Sequence, residues 1–481
     1  MIHWSVEEAE AVSLLSREKG QSYLFEQVYD MLVQRIDRRE WRAHEKLPSI
    51  RQLALEMKVH RLTVFKAFQM LKQQNKVYVK DKTGYYVQSG IAPSEFADEP
   101  LVNAYPRQNL LSALQSAVVD YHLTQALIDP SLLPNQYFSA YVKKVFDLYP
   151  KVLSTYAPVE GDSELRESLA RYFARTCGTY VSSEQLLITT GAQQAIHLVA
   201  QSFLKPRDTV MLERPSYSAA IDTFRGQGAH IVTVDITESG YDMDAVEAAM
   251  RTYKPRLFYI NPTFHNPTGA VVPASQRKRL VELADRYRCL IIEDDTYPDI
   301  YFGSKPVPPV YTFDTAESVI YIRSFCKYVS PGLRIAAMIC PPALMSTLVT
   351  AKSLADNGSP LLNQKIFLHY FESERLQQHF DKLRIALQIR KEVMEEELSR
   401  TDWQWVSPGG GLNLWVQLPA GQDVSRLLAA ALERSVAFVP GSYFDPDNRA
   451  STHIRLSYSY LNESRLREGI RRLVEAGNGN S

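Results

Sequence analysis

The chain reads VIYIRSFCKYVSPGLRIAAMIC from residue 319 to residue 340, and the architecture of the protein can be worked out from this segment. An apolar run at 319–322 and a second at 334–340 enclose a polar stretch. Nearly continuous apolar runs are typical of strands that are buried on both faces. Lys327 lies past the end of the first run, where parallel sheets bind ligands. A lysine at such a position is also commonly a surface residue whose aliphatic stem covers apolar atoms. A ligand-binding role for Lys327 therefore needs supporting residues at other strand ends.

The same pattern recurs upstream and predicts a layered α/β domain. Helical stretches separate further apolar runs at 186–189, 209–212, 231–234, 257–260 and 290–292. Strands of this kind with helices between them indicate a mainly parallel sheet that is covered on both faces. Two more helical stretches, 363–400 and 424–434, bracket a glycine-rich hairpin at 407–418.

Three other strand ends carry residues that are suited to ligand binding. Gly191 follows the run at 186–189 and opens a helix whose free N–H groups can cradle a phosphate, although glycine is common in such turns. Asn266 follows the run at 257–260, where an Asn-Pro-Thr-Gly turn is the simpler interpretation. Asp294 closes the run that begins at 290, and an acid at a buried strand end needs a cationic partner.

One ligand, pyridoxal phosphate, explains these residues together. A lysine can form a Schiff base with its aldehyde. A carboxylate keeps the pyridine nitrogen protonated, and an amide can bond the phenolic oxygen. A helix N-terminus with an arginine can hold the phosphate, and Tyr217 offers a flat surface for stacking on the ring.

The first 90 residues have the pattern of a small helical domain with a hairpin. Apolar residues recur every four positions and predict a helix over 23–40. Ser49 can cap a second helix, and a third has an apolar face that starts at Val64. Short runs at 76–80 and 85–87 around a turn indicate a hairpin. Three helices and a hairpin make a winged helix-turn-helix.

The charge is balanced over the whole chain but not along it. The 481 residues hold 54 Lys+Arg and 54 Asp+Glu, whereas residues 35–82 hold thirteen Lys/Arg against five Asp/Glu. A basic segment of this kind suits a polyanion such as DNA, and a solvated helical face is the alternative.

The composition excludes several other classes of protein. The chain is 45% hydrophobic and 22% charged, which is typical of a globular protein. Its four cysteines are widely spaced and form no C-x-x-C pair, which argues against a disulfide framework or a metal site and fits a reducing cytoplasm. The first residues lack the cationic segment of a signal peptide, and no apolar run reaches about 18 residues, so we expect no membrane segment.

The motifs resemble two known families. The S-x-x-K motif ending at Lys327, the P-G-L-R motif ending at Arg334 and the D-D-x-Y motif ending at Tyr297 resemble a fold-type-I aminotransferase domain. The L-P-S-x-R-x-L motif of residues 47–53 resembles the GntR-family winged helix. The two in this order are similar to the MocR subfamily of bacterial transcriptional regulators.

The resemblance implies an α/β fold in which a winged helix-turn-helix precedes a pyridoxal-phosphate-dependent aminotransferase fold of type I. That fold has a large mixed, mainly parallel sheet and a smaller α+β domain. We expect an N-terminal extension at 1–20, a DNA-binding domain at 21–88, a linker at 89–110 and an aminotransferase-like domain at 111–477.

The resemblance also implies roles for individual residues. Lys327 is expected to form the internal aldimine, Asp294 to pair with the pyridine nitrogen and Tyr217 to stack on the ring. Tyr156 matches a residue that reaches across the dimer interface. Arg455 matches the arginine that grips the α-carboxylate, with an ordinary strand-edge cation as the alternative.

The resemblance likewise implies which residues bind the phenolic and phosphate oxygens of the cofactor. Asn266 and Tyr297 are expected to bond the phenolic oxygen. The expected phosphate ligands are Ala192, Gln193, Ser324 and Arg334. Cys326 stands where the family often has serine, which removes one hydrogen bond to the phosphate. The asparagine at 266 is the form usual in true transaminases, whereas many MocR members have His-Gln in this motif.

The GntR resemblance implies a DNA-reading face. The expected contacts are Arg51, Arg61, Thr63 and Lys66 on the helices, and Lys80 and Lys82 on the wing. An arginine that is bidentate to guanine discriminates bases by about 1–3 kcal/mol. Wing lysines that meet phosphates position the protein without reading sequence.

These expectations lead to one hypothesis and two alternatives. The hypothesis is a cytoplasmic, homodimeric regulator that binds a double-stranded operator and senses an amino acid or amine through exchange at Lys327. The first alternative is a working aminotransferase, favoured by the complete catalytic set and disfavoured by the intact DNA-reading face. The second is a sensor of pyridoxal phosphate itself, in which Arg455 is dispensable.

Overall fold

The computed structural model describes residues 23–38, 40–80, 83–88 and 110–478, which fall into two compact units, Met1–Pro106 and Arg107–Ser481. The expected extension at 1–20, nearly all of the expected linker and Lys82 lie outside the described residues. No helix among the described ranges is long and apolar enough to cross a membrane.

The first unit is a winged helix-turn-helix, as predicted. Its elements are α1 (Leu24–Asp37), α2 (Ile50–Glu56), α3 (Arg61–Gln73), β1 (Val77–Lys80) and β2 (Gly84–Val87). Ser49 caps α2 as expected: its hydroxyl accepts a hydrogen bond from the Gln52 amide at 3.2 Å, and the Gln52 side chain accepts one from the Ser49 amide at 3.0 Å. The apolar faces of the three helices meet in one core with the ends of the antiparallel hairpin.

The second unit contains an eight-stranded sheet with the order β4-β11-β10-β9-β8-β5-β6-β7. Its strands are β4 (Leu186–Thr189), β5 (Thr209–Arg214), β6 (His230–Thr237), β7 (Gly240–Tyr241), β8 (Leu257–Ile260), β9 (Leu290–Asp295), β10 (Val319–Ser324) and β11 (Ala336–Ile339). The strands β5, β6, β8, β9 and β10 are parallel, and β11 runs antiparallel to both of its neighbours. The prediction of a mixed, mainly parallel sheet is therefore confirmed.

Ten helices of the described chain accompany this sheet, and several of them pack against its strands. They are α4 (Leu110–Gln115), α5 (Asn135–Leu148), α6 (Ser163–Cys177), α7 (Ala192–Phe203), α8 (Ser218–Gly226), α9 (Met243–Tyr253), α10 (Ala274–Tyr287), α11 (Pro342–Asp356), α12 (Leu361–Phe371) and α13 (Glu374–Leu398). The strands between them are buried along almost their whole length, which explains their continuous apolar runs.

A smaller α+β part follows. It comprises β3 (Tyr121–His122), β12 (Gln404–Trp405), β13 (Asn413–Gln417), α14 (Val424–Glu433), β14 (Val436–Ala437), β15 (Val439–Pro440), β16 (His453–Ser457) and α15 (Glu463–Asn478). Its four-stranded sheet has the order β12-β13-β16-β15.

One local expectation was wrong and another needs new bounds. The single helical stretch expected at 363–400 is two helices, because Ser373 adopts an extended conformation between them. The hairpin expected at 407–418 is formed, but it starts earlier: β12 pairs antiparallel with the end of β13, and the glycines form the loop between these strands.

The parallel strands β5, β8, β9 and β10 have the same direction and lie side by side, so their carboxyl ends share one edge of the sheet. The residues that follow these strands are brought together at that edge.

Candidate functional site

An open cleft of about 710 Å³ lies at the carboxyl edge of the large sheet. It is lined by Leu127, Gly191, Ala192, Gln193, Tyr217, Tyr259, Asn261, Asn266, Asp294, Thr296, Tyr297, Ser324, Cys326, Lys327, Pro331 and Arg334. Nine of the ten residues expected to bind the cofactor are therefore in one place. The tenth, Tyr156, is 85% exposed and is not part of this cleft within the chain.

Lys327 is half-buried at the centre of the cleft. Its Nζ donates a hydrogen bond to the Tyr297 hydroxyl at 2.7 Å and lies 4.9 Å from the centre of that ring. Burial alone would lower the pKa of Lys327, but the neighbouring Tyr297 and Tyr217 hydroxyls and Asp294 outweigh it, so the pKa is raised. In the protein alone the neighbouring groups thus favour the protonated amine, and burial opposes them.

Asp294, at the end of β9, is buried below Lys327. Its Oδ2 accepts a hydrogen bond from the Tyr259 hydroxyl at 2.8 Å, and its Oδ1 accepts one from the Thr296 hydroxyl at 2.9 Å. Burial raises the pKa of Asp294, while these two hydrogen bonds and the charge of Lys327 oppose that rise.

The start of α7 forms an anion cradle at one end of the cleft. Gly191 has φ +115°, and a Cβ there would lie 2.6 Å from Nη2 of Arg334, so this turn requires glycine. Arg334 has no hydrogen-bond or ion-pair partner among the described residues. The backbone N–H groups of Ala192 and Gln193, at the start of the helix, have no acceptor among the described residues, so they present free donors beside an unpaired guanidinium.

The side chain of Gln193 is turned away from the cradle. Its Nε2 donates to the Thr223 hydroxyl at 2.7 Å and to the Ala219 carbonyl oxygen at 3.3 Å, both on α8. Only the backbone of Gln193 is therefore available for an anion, a distinction that the sequence did not reveal.

Arg455 is not among the residues that line the cleft, but it contacts Asn266, which is. Arg455 is 2% exposed; its Nη1 donates to Asn266 Oδ1 at 3.2 Å, and its Nη2 donates to the Thr124 carbonyl oxygen. The Arg455 Nε is buried without a partner, and no carboxylate in the described part of the chain pairs with this guanidinium. Burial lowers the pKa of Arg455 to about 10.

Three further residues that the sequence analysis named, Tyr217, Ser324 and Cys326, also line the cleft. Tyr217 precedes α8, and burial raises its pKa. Ser324 ends β10, and its hydroxyl accepts a hydrogen bond from the Cys326 amide at 3.4 Å. The Cys326 thiol donates to the Ile335 carbonyl oxygen at 3.4 Å, so it does not replace a serine hydroxyl as a free donor.

Sequence reasoning missed Tyr259, Asn261 and Thr296. Asn261 follows β8 and joins two loops: its Oδ1 accepts from the Asn266 amide at 2.7 Å, and its Nδ2 donates to the Asp294 carbonyl oxygen. The position of Asn261 at a strand end was a usable signal. Tyr259 lies inside an apolar strand and gave no such signal.

The first unit carries the expected DNA contacts on its surface. Arg51, Arg61 and Lys66 are exposed, Thr63 is half-buried, and Lys80 is exposed on the wing. Arg61 is the first residue of α3, the second helix of the helix-turn-helix, and Lys66 Nζ lies 5.6 Å from the Phe25 ring centre. Lys80 Nζ lies 4.9 Å from the Tyr86 ring centre.

The sheet order and the cleft define the second unit as a fold-type-I aminotransferase domain. Residues 139–473 match the family described as aminotransferase class I and II, and residues 24–87 match the gntR family of bacterial regulatory proteins. The chain therefore belongs to the class I and II aminotransferase family and, with its GntR-family DNA-binding domain, has the MocR-type architecture of a transcriptional regulator.

Relatives of both kinds are found. A 2-aminoadipate transaminase of Thermus thermophilus is 35% identical over 356 residues, which cover 73% of this chain and 88% of the relative. The uncharacterized HTH-type transcriptional regulator YisV of Bacillus subtilis is 30% identical over 467 residues, 94% of this chain and 95% of the relative. The solved structure of LysN, an α-aminoadipate aminotransferase of Thermus thermophilus complexed with N-(5'-phosphopyridoxyl)-L-leucine, has a TM-score of 0.72 at 34% identity and covers 78% of this chain and 95% of its own.

Pyridoxal phosphate is the cofactor of this family, and the cleft fits it. The glycine cradle with the unpaired Arg334 suits a phosphate, and the carboxylate of Asp294 suits a pyridinium nitrogen. Lys327 lines the same cleft and supplies an amine of the kind that reacts with an aldehyde.

Proposed function

We propose that this protein is a pyridoxal-phosphate-dependent transcriptional regulator that binds an amino acid in the cleft and changes its affinity for an operator in response. The observation that carries the proposal is Arg455, a buried guanidinium with an unpartnered Nε and no carboxylate beside it within the described ranges. Buried charges are normally paired, so a site of this kind is built for an anionic ligand.

The chemistry of the expected ligand follows from the two ends of the site. Arg455 supplies parallel N–H donors that match a carboxylate. Lys327 lines the same cleft as Asn266, and its amine is the group that an incoming amine must replace. A ligand with both an amine and a carboxylate, an amino acid, satisfies both ends.

When bound, pyridoxal phosphate supplies an aldehyde that forms an imine with an amine and a ring that withdraws electrons. The protein's own groups hold it in the proposed arrangement. Arg334 and the first turn of α7 bind the phosphate, Asp294 bonds the pyridine nitrogen, and Tyr217 covers one face of the ring. The Tyr297 hydroxyl accepts a hydrogen bond from the Lys327 amine at 2.7 Å and so fixes the position of that amine.

We further propose a homodimer in which Tyr156 completes the site of the partner. In the single chain this tyrosine is 85% exposed and does not line the cleft, which leaves it accessible for a contact with a second copy.

A working aminotransferase is the second candidate. It is favoured by the presence of Lys327 and Asp294 in one cleft, with Arg455 hydrogen-bonded to Asn266 of the cleft lining, and by the similarity to relatives such as the 2-aminoadipate transaminase. A regulator and an enzyme differ in whether the bound amino acid is released as a 2-oxo acid.

The test is an absorbance titration of the cofactor-loaded protein with a panel of amino acids and amines, with 2-oxo acid measured in parallel. We expect one amino acid to change the cofactor spectrum without accumulation of product. Steady production of 2-oxo acid, well above the rate with free cofactor, would instead favour the enzyme.

A matched variant separates the two parts of the protein. Lys327→Ala should abolish the spectrum of the lysine-bound cofactor and leave basal DNA binding intact. Loss of both in a folded variant would contradict the proposed division between the cleft and the winged helix.

A further inference from the structure

We propose that Tyr259 is a positioning residue that, together with Thr296, holds the carboxylate of Asp294 ionised and aimed at the pyridine nitrogen of the cofactor. This inference rests on the proposed role of Asp294. It concerns the two hydroxyls that contact this carboxylate in the described structure; Tyr259 lies in no motif of the sequence, and Thr296 occupies only the variable position of the D-D-x-Y motif.

The geometry follows from the register of two parallel strands. Tyr259 of β8 is paired with Ile292 of β9, so the Tyr259 side chain lies on the same face as Ile292 and, two residues further on, Asp294. The ring of Tyr259 is buried and packs against Phe224, with ring centres 5.9 Å apart. Tyr259 lines the cleft, and its hydroxyl donates a hydrogen bond to Asp294 Oδ2 at 2.8 Å.

Thr296 approaches the same carboxylate from the other side. Its hydroxyl is 2.9 Å from Asp294 Oδ1, so each carboxylate oxygen accepts one hydrogen bond from a hydroxyl. Two donors on two oxygens fix both the position and the rotation of the carboxylate plane. The remaining lone pairs are left for a donor in the cleft, as a protonated pyridine nitrogen requires.

The hydrogen bonds also favour the charged form of the acid. Asp294 is buried, which disfavours its ionisation, and Glu213 adds a like charge; Tyr259, Thr296 and Lys327 act in the opposite direction. Burial first, and then the charge of Asp294, raise the pKa of Tyr259 well above its ordinary value. Tyr259 therefore stays a donor, and Asp294 can act as the acceptor.

The test reads the protonation of the cofactor rather than activity. Apo-protein is loaded with pyridoxal phosphate labelled with ¹⁵N in the ring, and the ¹⁵N resonance is recorded for the intact chain and its variants. Asp294→Asn defines the resonance of an unprotonated ring. We expect Tyr259→Phe, which keeps the ring packing and removes the hydroxyl, to move the resonance part of the way toward that position and to weaken cofactor binding about tenfold or more.

Controls separate positioning from a structural effect. Thr296→Val should shift the resonance in the same direction as Tyr259→Phe, and Thr296→Ser, which restores the hydroxyl, should return it to the wild-type position. Tyr370→Phe is the matched control, because Tyr370 is fully buried and its hydroxyl has no partner among the described residues. That variant should leave the resonance and the cofactor affinity unchanged.

The outcomes distinguish this inference from the proposal on which it rests. An unchanged resonance in Asp294→Asn would overturn the role of Asp294 itself. A shift in Asp294→Asn with none in Tyr259→Phe would overturn only the role of Tyr259. A further shift when Tyr259→Phe is added to Asp294→Asn would show that Tyr259 acts by another route and would also overturn it.

Discussion

Replacement of Arg455 by methionine should remove most of the affinity for amino acids and little of the affinity for simple amines. Burial lowers the pKa of Arg455 to about 10. At about 1.4 kcal/mol per pH unit, this corresponds to a cost of about 3 kcal/mol for keeping the guanidinium charged with no carboxylate beside it. A bound carboxylate recovers that cost, and about 3 kcal/mol is a factor of about 150 in a dissociation constant.

The assay compares two ligands on two proteins. An amino acid and the amine that lacks its carboxylate are each titrated into wild type and Arg455→Met, and the cofactor spectrum reports binding. We expect a loss of about 100-fold or more for the amino acid and less than about threefold for the amine. Arg455→Lys should fall between wild type and Arg455→Met for the amino acid, because an ammonium cannot form the bidentate pair.

Two results would refute the carboxylate-binding role of Arg455. If Arg455→Met weakened both ligands alike, the residue would be supporting the fold of the cleft through Asn266 and Thr124 rather than binding a carboxylate. If neither ligand were weakened, the cleft would sense the cofactor itself.

The other predictions concern the cradle, the pH dependence of stability and the DNA interface. Gly191→Ala should weaken cofactor binding at least about tenfold in an absorbance titration, because its Cβ would displace Arg334; Gly303→Ala, also at positive φ but with nothing within 4 Å, should not. Burial lowers the pKa of His379, so the unfolded chain binds more protons than the folded chain below about pH 6.5, and stability should fall as the pH drops through that range. In His379→Gln, the urea midpoint should fall less steeply as the pH drops. A pH dependence identical to that of wild type would refute its assignment to His379. Arg61→Ala should weaken binding to a selected operator by about 1–3 kcal/mol and to random DNA much less, whereas Lys80→Ala should weaken both alike and reduce the salt dependence. Equal losses on both DNAs for Arg61→Ala would show that it contacts only phosphates.

The large sheet was predictable because each of its central strands is buried on both faces. The runs expected at 186–189 and 257–260 coincide with β4 and β8 residue for residue. A short, continuous apolar run is typical of a strand that is buried on both faces. The break between α12 and α13 was not predictable, because Ser373 lies in a stretch whose residues all tolerate a helix. Tertiary packing decides where that helix is interrupted.

The cleft was predictable where function depends on residues at strand ends. Asp294 and Lys327 end or follow strands, and strand ends are read directly from the pattern. Tyr259 was missed because it lies inside the apolar run that predicts β8. In the sequence, an aromatic residue within such a run cannot be distinguished from an ordinary core residue. The pKa of Lys327 was also beyond the sequence, because burial and neighbouring hydroxyls act in opposite directions and only the geometry shows which is larger.

The measurement that tests the proposed regulator most directly is DNA affinity with and without the bound amino acid. A duplex is first selected by the protein from random-sequence DNA, and its dissociation constant is measured at fixed salt while 2-oxo acid is monitored. We expect the amino acid that changes the cofactor spectrum to change DNA affinity by about fivefold or more in wild type, and to have no effect in Arg455→Met. An unchanged DNA affinity accompanied by steady release of 2-oxo acid would contradict the regulator and identify the cleft as that of a working aminotransferase.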